Sequence, residues 1–175
     1  MNVPTEWLNS NSRCEKIHDT LYEINEVFTP EALEYFYDYF RFGDKWQFVT
    51  PFTRLFRELD CHTSSSFYPA KQALDQMIST ITGRSLQTRT AKLFFDTTSY
   101  QTSPHYDHPN IAAMVQIYFP SPNPICPGTL FFEPKIHLVR YQANCGYINL
   151  NHDLKVHQSN QLSRDYRCSL ALQLV

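Results

Sequence analysis

The alternation of apolar and polar positions changes character near residue 86. Beyond it, Thr88–Phe95, Ser103–Asp107, Ile111–Phe119, Thr129–Glu133, His137–Tyr141, Tyr147–Asn149, Val156–Gln158 and Tyr166–Leu174 all read as strands. Turn formers separate them: Pro120–Pro127 (PSPNPICP), Gly128, Asn144 and Gly146. Strands this short and evenly spaced predict a sandwich or jelly roll. Before residue 86, helical signals alternate with strand-like pieces. Leu21–Phe28 (LYEINEVF) alternates as a half-buried strand would. Thr29-Pro30 then predicts an N-cap followed by proline at the first helical position. Leu33, Phe36, Tyr37 and Phe40 make one apolar face of that helix, and Gly43 is its expected stop. A second helix is predicted over Pro69–Thr82, with Ala70, Leu74, Met77, Ile78 and Ile81 on one side and Gly83 as cap. The expected fold class is mainly β with α. A jelly-roll core over 88–175 is supported by a helical and mixed segment over 1–87, within a single domain, and the helices cover one sheet.

The stretch Ile111–Phe119 has two distinct faces. Ile111, Ala113, Val115, Ile117 and Phe119 are all apolar, whereas Ala112, Met114, Gln116 and Tyr118 include hydrogen-bonding groups. If the second face points into the barrel, those groups need polar partners there.

Composition narrows the function. The 175 residues are 42% hydrophobic and 18% charged, which excludes a disordered chain. With Gly at 4 and no glycine-rich phosphate-binding motif, a nucleotide-binding loop has no support. The net charge of −2 lacks the basic excess of a protein held by nucleic-acid phosphates, so nucleic acid is a disfavoured partner. Cys14, Cys61, Cys126, Cys145 and Cys168 show no zinc-like spacing and read as reduced thiols. Neither a signal peptide nor a membrane span is expected, and the expected location is cytoplasmic.

The sharpest local pattern is His105-Tyr106-Asp107. On a strand the imidazole and the carboxylate share a face and form two corners of a metal site. A third ligand is required, for which His137, His152 and His157 are candidates. Two histidines and one carboxylate on one face of an octahedral metal suit non-haem Fe(II) and leave three positions open. His108 and His62 read as ordinary histidines.

An H-x-D on the second strand, a His on the seventh and an Arg on the eighth, ten residues after that His, resemble the 2-oxoglutarate- and Fe(II)-dependent dioxygenases. Their motif H-x-D … H … R/K is read here as His105-Tyr106-Asp107, His157 and Arg167, with Arg167-Cys168-Ser169 matching the R-x-S variant. His157 is preferred to His152 because Arg167 heads an apolar strand (CSLALQLV), whereas Arg164 lies in the polar turn QLSRD.

The resemblance covers residues 88–175 and implies a double-stranded β-helix. It also implies that His105, Asp107 and His157 hold Fe(II). 2-Oxoglutarate then chelates the metal and O2 takes the last position. Arg167 pairs with the distal carboxylate of 2-oxoglutarate, with Tyr118 and Ser169 as further contacts. Asp107 favours hydroxylation over halogenation, since the halogenating branch lacks this carboxylate. The expected substrate is a peptide or protein side chain, an amino acid or a small metabolite. A cupin-type metal hydrolase or isomerase and a non-catalytic β-sandwich binding module are the alternatives.

Overall fold

A computed structural model of the chain describes residues 3–42, 45–49, 53–97, 100–120, 128–151, 156–159 and 166–175. The hairpin β1 (Arg13–His18) and β2 (Leu21–Asn25) leads to α1 (Pro30–Phe42). Then come β3 (Gln47–Val49), β4 (Arg54–Leu59) and α2 (Tyr68–Thr82). The remainder is β5 (Thr88–Asp96), β6 (Ala113–Phe119), β7 (Thr129–Phe131), β8 (His137–Val139), β9 (Cys145–Leu150), β10 (His157–Ser159) and β11 (Arg167–Leu174). An eight-stranded sheet runs β1-β2-β9-β6-β11-β5-β4-β3, and a three-stranded sheet runs β10-β7-β8. The pairings are antiparallel.

Both helices form where the pattern predicts. Thr29 Oγ1 accepts the Ala32 N–H at 3.2 Å, so it caps α1 with Pro30 at its first position. The expected stop at Gly43 lies outside the described residues. At the end of α2, Gly83 adopts φ 67° and donates its N–H to Ser79 O at 2.9 Å. That left-handed conformation favours glycine.

One buried cluster joins the helices to one face of the large sheet. Phe36 of α1 and Leu74 and Ile78 of α2 share it with Leu93, Val115, Ile117, Phe119, Leu170 and Leu172. Phe36 is fully buried, with ring centroids 5.0 Å from Phe28 and 5.2 Å from Phe119. The apolar face of β6 thus packs under the helices, and its Gln116–Tyr118 face looks into the barrel. There Leu21, Tyr118 and Tyr147 of the large sheet meet Phe131 and Val139 of the small one. The β6–β9 pairing requires Gly146, since a Cβ there would lie 1.9 Å from the Gln116 carbonyl oxygen.

The strand expected at Leu21–Phe28 forms as β2, over Leu21–Asn25. The N-terminal half also supplies β1, β3 and β4, which the pattern does not announce: β1 and β2 form one edge of the large sheet, and β4 and β3 form the other. Among the four residues of β1 before Ile17, none is buried, and all of β3 is exposed. Backbone pairing to the neighbouring strand holds these edges, so they leave no alternating signature. Residues 103–107 form no full strand. They add a single bridge, His105 to His157, to the edge of the small sheet.

Among the described residues, no helix is long and apolar enough to cross a membrane. Cys14, Cys61, Cys145 and Cys168 are free thiols, and Cys126 lies outside the described residues.

Candidate metal centre

The candidate site forms where the small sheet faces the inner surface of the large one. β10 pairs with β7, which sets His157 opposite Phe131, and the two rings stack with centroids 5.3 Å apart. On its other side the main chain of His157 exchanges two 3.0 Å hydrogen bonds with that of His105. The imidazoles end up 4.5 Å apart between centroids. Asp107 follows two residues later, with Oδ1 3.7 Å from His157 Nε2. One ligand atom from each of His105, Asp107 and His157 falls within 4.8 Å of the other two.

Hydrogen bonding prepares these groups. His105 Nδ1 lies 2.8 Å from the Ser103 carbonyl, which can only accept, so Nδ1 carries the proton and Nε2 keeps a free lone pair. Asp107 is buried, and its Oδ2 accepts from Asn149 Nδ2 at 3.3 Å, leaving Oδ1 toward the imidazoles. His137 is not part of the group, because its Nε2 pairs with Glu23 on β2. The His108 ring accepts the Asn110 N–H, and His62 is exposed. His152 and Arg164 lie outside the described residues.

A cavity of about 130 Å³ opens beside the group, lined in part by Arg54, Phe94, Tyr100, Met114, Gln116 and Tyr147. Along the inner face of the large sheet the polar groups form a chain. Tyr147 OH donates to Gln116 Oε1 at 2.9 Å, and Gln116 Nε2 donates to Ser169 Oγ at 2.9 Å. The Tyr118 and Thr129 hydroxyls bond to each other at 2.8 Å. The polar inward face of β6 therefore does find polar partners. Burial raises the Tyr118 and Tyr147 hydroxyls above the ordinary tyrosine range, so both stay protonated donors at neutral pH.

Two residues before Ser169, on the same face of β11, Arg167 is fully buried. Its Nε and Nη2 donate to Asp96 Oδ2 at 3.0 and 2.8 Å. Burial opposes its charge, but Asp96, together with Tyr118 and Tyr100, holds the guanidinium above its ordinary value. Nη1 is buried and has no hydrogen-bond partner among the described residues. A buried charged N–H without an acceptor is costly, and a carboxylate is the complementary acceptor.

Asp96, Arg54, Asn149 and Tyr100 were not singled out from sequence. Asp96 alone left a trace: it continues the inward series Thr90, Lys92, Phe94 as a charge at a core-facing position.

No family model matches the chain, and no curated protein matches it. Among solved structures it is similar to an oxidoreductase of the 2OG-Fe(II) oxygenase family from Burkholderia pseudomallei, with a TM-score of 0.72 at 9% identity, covering 93% of this chain and 92% of that one. It is also similar to the viral collagen prolyl hydroxylase of Paramecium Bursaria Chlorella virus-1, solved as its 2-oxoglutarate complex (TM-score 0.69, 8% identity, 89% and 95% covered). A third likeness is to a Trichoplax adhaerens prolyl hydroxylase in complex with a hypoxia inducible factor peptide (TM-score 0.69, 14% identity, 89% and 83% covered). At these identities the likeness is one of fold. The chain has the mostly β fold of the 2-oxoglutarate- and Fe(II)-dependent oxygenases, and it carries a His105–Asp107–His157 group within that fold.

Proposed function

We propose that the protein is an Fe(II)- and 2-oxoglutarate-dependent dioxygenase that hydroxylates an unactivated C–H bond. The observation that carries this reading is the pairing, on the same inner surface, of a His–Asp–His group with Arg167, whose buried Nη1 lacks an acceptor among the described residues. Two imidazoles and one carboxylate suit Fe(II) and leave coordination positions for other ligands. A cupin-type hydrolase has no use for a buried guanidinium set apart from the metal, and a binding module has no use for the metal group.

His105, Asp107 and His157 would hold the metal. Bound together, Fe(II), 2-oxoglutarate and O2 supply the oxidising power for C–H hydroxylation. The protein binds and orients. Arg167 receives the distal carboxylate of 2-oxoglutarate as a charge-assisted partner. Tyr118 and Ser169 flank that end, and each can turn its hydroxyl proton toward a carboxylate. Asn149 fixes which oxygen of Asp107 faces the metal. Phe131 and Tyr147 wall the site and restrict water.

The substrate is read as a peptide or protein side chain, an amino acid or a small metabolite. The prolyl hydroxylases of like fold favour a peptide. The test is succinate formation from 2-oxoglutarate with Fe(II) under air, with Arg167→Ala alongside. The reading predicts Fe(II)-dependent succinate from the native protein and a large rise in 2-oxoglutarate requirement in the variant. Absence of metal-dependent turnover across peptide and metabolite panels, with no 2-oxoglutarate binding, overturns it.

A further inference from the structure

Arg54 lies on β4, in the half of the chain that carries none of the candidate metal ligands. Its guanidinium is held between two rings, 4.1 Å from the Phe94 centroid and 3.9 Å from the Tyr100 centroid. From there it forks onto Asp96, Nε to Oδ1 and Nη2 to Oδ2, the latter at 2.9 Å. Arg167 approaches the same carboxylate from the other side. Strand register makes the row: Arg54 pairs with Asp96 across β4–β5, and Asp96 pairs with Arg167 across β5–β11. The backbone thus sets three charges side by side.

The charges do not balance. Among the described residues two guanidinium groups share one carboxylate, leaving one positive charge in a place where Asp96 and Arg167 are fully buried and the Arg54 side chain is 15% exposed. An uncompensated buried charge is costly, and a second carboxylate would balance it. Arg54 also lines the cavity beside the metal group. If Arg54 were absent, Asp96 would neutralise Arg167 alone, and the pull on an incoming anion would fall.

We propose that Arg54, acting through Asp96, is a positioning residue for the anionic end of the co-substrate. It occupies the Asp96 carboxylate, so Arg167 keeps an unspent charge and an N–H for the distal carboxylate of 2-oxoglutarate. This rests on the reading of Arg167 as the co-substrate anchor.

The test uses Mn(II)-loaded protein without turnover and compares calorimetric affinities for 2-oxoglutarate and 2-oxobutyrate. The second keeps the metal-binding end and lacks the distal carboxylate. Arg54→Gln is expected to weaken 2-oxoglutarate about tenfold and to leave 2-oxobutyrate unchanged. Arg54→Lys returns the charge without the fork and is expected to recover part of the affinity that Gln loses. Adding Asp96→Asn to Arg54→Gln leaves Arg167 an oxygen acceptor and removes the neutralising charge, so 2-oxoglutarate affinity is expected to recover most of its loss.

A loss that persists in the double variant overturns the proposal, because Arg54 would then touch the ligand itself. So does an equal loss for both ligands, or a Lys variant as weak as Gln. Arg167→Ala separates the two readings. If it affects both ligands alike, or neither, the anchor assignment fails and takes the proposal with it. If it affects 2-oxoglutarate alone while Arg54→Gln changes nothing, only the proposal fails.

Discussion

His105 and His157 each donate a main-chain N–H to the other's carbonyl at 3.0 Å, so two residues far apart in sequence are fixed as one antiparallel pair. The pair sets the imidazoles side by side without help from a metal. His105→Ala, Asp107→Ala and His157→Ala are therefore expected to abolish Mn(II) binding, read by electron paramagnetic resonance, while circular dichroism stays native. An Ala variant that keeps wild-type metal affinity removes that residue from the ligand set.

Arg167→Ala should lower affinity for 2-oxoglutarate by roughly 10- to 100-fold, since a charge-assisted contact is worth about 1.5–3 kcal/mol. Metal affinity should hold. Arg167→Lys should recover part of the loss, because the charge returns without the fork. Calorimetry on the Mn(II) form checks both, and unchanged 2-oxoglutarate affinity in the Ala variant would contradict the anchor assignment.

Asn149 touches no candidate ligand atom of the histidines, yet its amide holds Asp107 Oδ2. Asn149→Ala should weaken Mn(II) affinity by about tenfold or more, as removal of a hydrogen-bond partner of a metal ligand does. Asn149→Asp also removes the donor, but its added negative charge attracts the cation, so it should lose less affinity than the Ala variant. Competition with a chelator of known affinity reads both values.

Phe36 bridges α1 to the covered face of the large sheet. Phe36→Ala should cost about 3–5 kcal/mol, as a fully buried aromatic leaves a cavity that rigid strands cannot close. Urea denaturation gives the number. A loss below about 1 kcal/mol would mean that the helices are not held through this ring.

Burial raises Tyr35 and Tyr118 above the ordinary tyrosine value and pushes Tyr100 up to about 12. Their folded values exceed their unfolded ones, so the native state keeps protons that the unfolded chain loses. Stability is then complete below about pH 10 and declines as pH rises toward 12. The urea midpoint should fall across that window, and 295 nm absorbance should show a late ionising fraction that merges with the rest on unfolding. A midpoint flat from pH 10 to 12 would refute this.

Much of the scaffold was legible because its signals are local. The Thr29-Pro30 start of α1 and the Gly83 end of α2 depend on a few consecutive residues. The two faces of β6 follow from period two alone, and the structure buries the apolar face under the helices as the alternation implies. His105-Tyr106-Asp107 was legible as a local spacing, although the segment carries only one bridge and is held by His157.

The charge row Arg54–Asp96–Arg167 had no such signal. Its members stand 42 and 71 residues apart, and only the register of β4, β5 and β11 brings them together. Exposed edge strands such as β3 were equally silent, because backbone pairing rather than burial forms them. The helix ends, the two-faced strands and the residue types able to ligate a metal can be read along the chain, since period, caps and donor chemistry are properties of short stretches. Which distant donors converge and which carboxylate Arg167 shares follow from strand pairing between segments that carry no record of one another, so they emerge with the fold.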